Sequence, residues 1–95
     1  SINSHRLPQT IQYINKNQVT KIEIGKDYEM ETIQFLVDCP SVTDIDLGET
    51  QAKNFDGLSL LPNLRELCIL DCFDKKTCIC LENLTQLQTL SVNGD

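Results

Sequence analysis

Four segments of the chain carry the same pattern: an apolar residue, two others, an apolar residue, one other, an apolar residue. They are Val19, Ile22 and Ile24; Val42, Ile45 and Leu47; Leu64, Leu67 and Ile69; and Leu87, Leu90 and Val92, separated by 23, 22 and 23 residues. Self-similarity at a fixed period of this length means that one small structural unit is stacked several times, so it constrains the fold more than any single motif. Each copy ends in a two-residue alternation, which marks a short half-buried strand. The pattern predicts four strands, near 20–25, 43–47, 65–69 and 88–92.

A second period runs between the strands. Stepping back in threes from Ile45 gives Val42, Cys39, Leu36 and Ile33; from Leu67 it gives Leu64, Leu61, Leu58 and Phe55; from Leu90 it gives Leu87, Leu84, Leu81 and Cys78. Steps of three, with an occasional fourth, keep side chains on one face of a short α- or 3₁₀-helix, as expected of a return segment laid against a sheet. Glu29–Asp38 is the best helix candidate, with acids in its first turn and Pro40 just past its end. Gly57 and Pro62 interrupt the third return. Residues 1–18, with Ile11 and Ile14 one residue out of phase, are expected to form an N-terminal cap.

The stretch Leu61-Pro-Asn-Leu64-Arg-Glu-Leu67-Cys-Ile69-Leu-Asp-Cys72, echoed by Leu84-Thr-Gln-Leu87-Gln-Thr-Leu90-Ser-Val92, resembles the leucine-rich repeat, and the resemblance covers residues 19–95. It implies an α/β fold: a right-handed solenoid of about four units, with a parallel concave sheet, short helical or irregular convex returns, and use as a protein-binding surface. A compact α/β domain with a parallel sheet is the alternative, reached if the returns are full helices. The family's turn-satisfying Asn, or Cys in one subclass, falls here on Asp27, Thr50, Cys72 and Asp95. Only Cys72 conforms. Thr50 still donates from its hydroxyl, whereas ionised Asp only accepts, so irregular turns are expected.

Composition narrows the function. Fourteen acids against eight Lys and Arg give a formal charge of −6, which opposes a phosphate backbone and excludes direct nucleic-acid binding as the expectation. With no Trp and only three Phe and two Tyr, the core must be aliphatic. No apolar run approaches the roughly 18 to 20 residues that cross a bilayer. Five cysteines, an odd count, favour a reducing compartment, hence an intracellular and most simply cytoplasmic setting.

If the repeated apolar residues face the core, the alternate ones form rows on the other face: Lys21, Asp44, Glu66 and Thr89; Glu23, Asp46, Cys68 and Ser91; Gly25, Gly48, Leu70 and Asn93. With Lys26, Glu49, Arg65 and Asp71 beside them, this face is acidic. Glu23, Asp44, Asp46, Glu49, Glu66, Cys68 and Leu70 are the expected partner-binding residues, and the expected partner is another protein with a basic surface. Cys72, Cys78 and Cys80, with Cys68 nearby, lack the paired spacing of a zinc knuckle, and in the repeat frame Cys68, Cys72 and Cys78 point in different directions, so no metal or cofactor is predicted. The single histidine, His5, reads as a solvated tail residue, no glycine-rich phosphate loop is present, and hydrated Asp44 and Asp46 have nothing to separate their pKa values. No catalytic residue is predicted. The expected function is a non-catalytic recognition module, such as the substrate-recognition arm of a ubiquitin ligase or bacterial effector, or the sensor arm of an innate-immune receptor. The alternative is a structural or autoinhibitory segment contacting its own parent chain through convex residues such as Lys53, Lys75 and Lys76. A sequence that ends three residues after Val92 leaves the last strand as an edge, so the segment is expected to be part of a longer protein or to meet a second copy edge to edge.

Overall fold

The computed structural model describes residues 2–70 and 87–93. In the segments Lys21–Ile24 and Asp44–Leu47 every second side chain is Ile or Leu and the alternates are charged, so each of these strands buries one face only. Strands β1 (Lys21–Ile24), β2 (Asp44–Leu47), β3 (Glu66–Leu70) and β4 (Thr89–Asn93) form one parallel sheet in the order β1-β2-β3-β4. The register aligns Ile22, Ile45, Leu67 and Leu90 as one row and Ile24, Leu47, Ile69 and Val92 as another. The 23-, 22- and 23-residue steps of the sequence are therefore the register of the sheet. Entry to each strand is also repeated. The Thr20 carbonyl accepts from the amides of Thr43 and Asp44, that of Thr43 from Arg65 and Glu66, and that of Arg65 from Gln88 and Thr89, all at 2.7–3.2 Å.

The three-residue period has an equally direct cause. The amides of Leu36, Cys39 and Val42 donate to the carbonyls of Ile33, Leu36 and Cys39, and those of Leu58, Leu61 and Leu64 donate to Phe55, Leu58 and Leu61, at 3.0–3.3 Å. Leu36, Cys39, Leu58 and Leu61 are thus each the donor of one three-residue bond and the acceptor of the next. Such bonds bring the side chains round to the same side every three residues. Two 3₁₀ turns result, Gln34–Asp38 and Asp56–Leu60. The expected helix over Glu29–Asp38 is corrected to the first of these turns, because long-range contacts claim its first half. The Glu31 carbonyl accepts from the amides of Lys53 and Asn54 at 2.8 and 3.0 Å, and Thr32 forms a parallel bridge with Asn54. Tyr28, buried, stacks obliquely on Phe35 with ring centroids 5.4 Å apart and donates its hydroxyl to the Thr32 carbonyl.

One α-helix is present among the described residues, α1 (Leu7–Asn17), started by Pro8 in its first turn and ended by Gln18 in the left-handed conformation at φ 50°. It buries Ile14 and packs Leu7 and Ile11 against the core. The residues before it run along the free side of β1: the amides of Ile2 and Ser4 donate to the carbonyls of Glu23 and Asp27 at 2.9 and 3.1 Å. His5 is not in a loose tail. It lies in a 3₁₀ turn, Ser4–Arg6, with Nε2 against Glu29 Oε2, although its side chain stays 75% exposed.

The core is the aliphatic layer between the sheet and the 3₁₀ turns, centred on Ile24, Ile33, Leu36, Val42, Ile45, Leu47, Leu58 and Leu67, with Cys39 among them. Thr50 is buried, donates to the Tyr28 carbonyl at 3.2 Å and accepts from the Ala52 amide at 3.3 Å, the double role that an ionised aspartate cannot fill. The fourth unit departs from the expected burial. Leu90 keeps 41% of its surface exposed and Leu87 is half-buried, since among the described residues β4 has a strand on one side only. Asp71, Cys72, Lys75, Lys76, Cys78, Cys80, Leu81, Leu84 and Asp95 lie outside the described residues. No helix among the described residues is long and apolar enough to cross a membrane.

Candidate functional site

The polar alternates of the strands stand together on the face of the sheet opposite the core. The register places Lys21, Asp44, Glu66 and Thr89 in one row and Glu23, Asp46, Cys68 and Ser91 in the next. All are exposed except Asp44, Asp46 and Cys68, which are half-buried. A depression of about 270 Å³ crosses this face from Lys21 to Thr89 and Ser91, with Asp44, Asp46, Glu66 and Cys68 between them. At the C-terminal ends of β1 and β2 a wider recess of about 510 Å³ is bounded by Glu23, Lys26, Asp27, Asp46 and Glu49, and Gly25 and Gly48 keep it open. Five of the seven expected residues therefore share the face. Glu49 borders it at the strand end, and Leu70 is placed by its backbone pairing with Asn93.

Each base on the face is matched to one acid. Arg65 Nε donates to Asp44 Oδ1 at 3.1 Å, Lys26 Nζ lies 3.0 Å from Glu49 Oε2, and Lys21 Nζ lies 4.0 Å from Asp46 Oδ2. Glu23 and Glu66 have no cation at ion-pair distance among the described residues. Each stands directly across from an acid of β2, Glu23 from Asp46 and Glu66 from Asp44, and like charges placed opposite one another cost stability in the free protein.

Asp44 is not the hydrated, unperturbed carboxylate expected: it is half-buried, and its environment sets it apart from another acid, Glu66. Asp44 and Glu66 are cross-strand partners. The Thr43 hydroxyl, donating to Asp44 Oδ1 at 2.7 Å, holds the Asp44 carboxyl below the usual range, helped by Glu66 and Arg65. Glu66 is pushed the other way, because a hydrogen bond to ionised Asp44 and the nearness of that charge favour its protonated form. On acidification Glu66 takes up its proton first. Thr43 and Arg65 are the residues that set this difference, and the sequence marks them only as neighbours of outward-facing strand positions.

His5 sits against Glu29, away from the two outward rows, and no group of three or more His, Cys, Asp or Glu side chains among the described residues is arranged to hold a metal ion. Cys39 is buried and its thiol is pushed up to about 11 by burial and by the Asp38 charge, so it is a packing residue. What the face offers chemically is an outward-facing array of carboxylates and bases with the half-buried Cys68 thiol among them. Comparison with protein-family models, with curated proteins and with solved structures found no match to this chain.

Proposed function

We propose that this chain is a non-catalytic recognition module of leucine-rich-repeat type, whose outward sheet face binds another protein with a basic surface. The observation that carries the reading is the in-register display of Glu23, Asp44, Asp46 and Glu66 on an uncovered sheet face, with more acids than bases. A repulsive cluster retained on a surface is stabilised when a cationic partner docks, and complementary charge speeds and orients that docking. The steps of 22 and 23 residues, the parallel in-register ladder and the repeated i→i+3 returns support the solenoid reading, with the sheet as its concave side. The cysteine content supports an intracellular setting. Within a larger protein such a module serves as a substrate-recognition or sensor arm.

A second reading, a structural or autoinhibitory segment packed on its own parent protein, has one observation in its favour. Val37 and Leu60, on the 3₁₀ turns, are 58% and 38% exposed. The test compares the immobilised 95-residue chain with its Glu66→Lys variant. This substitution places a cation beside Asp44, so the fold is retained while the face loses its excess negative charge. Proteins captured by the wild type and released by moderate salt are expected to be lost with the variant. Equal capture by both, or capture of parent-chain domains alone, contradicts the recognition reading.

A further inference from the structure

The four described strands are by themselves too small to make a whole interface. Four strands spaced about 4.8 Å apart and about four residues long at roughly 3.3 Å per residue project on the order of 250 Å². Doubled for corrugation, that is still below the roughly 800 Å² each partner buries in a standard interface. A protein held on this face therefore reaches past one of its margins.

At the β1 margin lies a groove of about 350 Å³ between helix α1 and strand β1. Its floor is apolar, made by Ile2, Ile14, Val19 and Ile22. Tyr13 lines it with a side chain from α1, and that residue is 64% exposed, the most exposed large hydrophobic residue in the described chain. Thr10, Lys21, Glu23 and Asp46 supply the polar part of its lining, two acids against one base. Asp46 is loosely engaged by Lys21 at 4.0 Å, while Glu23 has no cation at ion-pair distance among the described residues. An apolar trough ending at a free carboxylate and an open phenol ring suits a long aliphatic stem that carries a planar cation at its tip.

We propose that this groove takes an arginine side chain of the partner protein, with its methylenes on Val19 and Ile22 and its guanidinium between the Tyr13 ring and the Glu23 carboxylate. The inference rests on the reading of the sheet face as the partner surface, and adds which margin is used and by what anchor. Arginine is favoured over lysine, because a guanidinium stacks on an aromatic face while pairing with a carboxylate, and sheds its water more readily than an ammonium. Lys21 works against the ligand by repelling it and by competing for Asp46, so removing the Lys21 charge tightens binding.

The probe is a capped pentapeptide, Gly-Ala-Arg-Ala-Gly, titrated into the isotope-labelled chain and followed by amide chemical shifts, with lysine and citrulline counterparts. The shifts are expected at Thr10, Tyr13, Val19 and Glu23, weaker with the lysine peptide and absent with the neutral citrulline peptide. Glu23→Gln is expected to weaken binding about tenfold through loss of a charge-assisted hydrogen bond. Tyr13→Ala is expected to weaken it about fivefold, with Tyr13→Phe unchanged, because the ring and not the hydroxyl is used. Lys21→Gln is expected to tighten it about twofold. Equal binding of the citrulline peptide, binding undiminished by Glu23→Gln, or no binding overturns the inference. Shifts confined to Asp44, Glu66 and Cys68 overturn it while leaving the sheet-face reading intact, and that reading stands or falls separately on the Glu66→Lys comparison.

Discussion

Replacing Gly57 by Ala tests how closely successive units are stacked. Gly57 is buried in the second return turn, and a Cβ added there falls 2.4 Å from the carbonyl oxygen of Ile33, 2.8 Å from its carbonyl carbon and 3.0 Å from its Cγ1. Carbon contacts are comfortable at about 3.5–4.0 Å, so the turn must retreat by about 1 Å from the backbone of the preceding return. That obstacle is main chain bound by the Leu36 amide at 3.2 Å and does not swing aside. Overpacking costs about 1–3 kcal/mol, and backbone as the obstacle places this case near the top. The loss of glycine's freedom in the unfolded chain returns about 0.4–1 kcal/mol. A net destabilisation of about 2 kcal/mol follows, which for a domain of this size lowers Tm by roughly 10 °C. Urea unfolding followed by far-UV circular dichroism measures it, with an unchanged m-value showing that the same surface is exposed. Gly25→Ala is the matched control, since a Cβ there meets no heavy atom within 4 Å, and it is expected to be neutral or slightly stabilising. Equal stability of the two variants would refute the close stacking of the returns.

Glu66→Gln is expected to stabilise the protein at pH 7. The raised folded pKa of Glu66 means that its penalty is full above that value and fades as pH falls through it, so the advantage of the variant closes by about pH 4 in a pH series of urea midpoints. The Asp44 contribution has the opposite sign: it is present above the ordinary carboxylate range and is lost only as pH falls through its lowered folded value. Native alkylation at pH 8 with peptide mapping is expected to label half-buried Cys68 well before buried Cys39, whose thiol lies at about 11, and comparable rates at the two sites would contradict the packing role given to Cys39.

The register is legible in the sequence, because one apolar row recurring at a fixed interval leaves a parallel sheet few other ways to align, and Ile22, Ile45, Leu67 and Leu90 do align. The conformation of the returns was readable only in part. The step of three marked which residues turn inward, but it did not show that Thr32 would pair with Asn54 and halve the expected helix, since that bond joins residues 22 apart. Gly57 read as an interruption, whereas its role is a close approach visible only when the neighbouring unit is in place. At the site, the rows of the sheet face followed from alternation alone. The arrangement of Thr43 and Arg65 around Asp44, which separates it from Glu66, depends on side-chain rotamers that no spacing encodes. Tyr13 was missed for a different reason: it lies on α1, outside the repeat, where the phase of the pattern gives no guide to the sheet edge.

Docking of a partner on the outward face of the sheet is the proposal on which the others depend. Carboxyl footprinting by mass spectrometry, on the free chain and on its complex with a captured partner, tests it most directly, because acids stand both on that face and on the returns. Glu23, Asp46 and Glu66 are expected to lose labelling in the complex while Glu31, Asp38 and Asp56 label as before. Protection of Asp38 and Asp56 with Glu66 still labelled would contradict it and transfer the contact to the 3₁₀ turns.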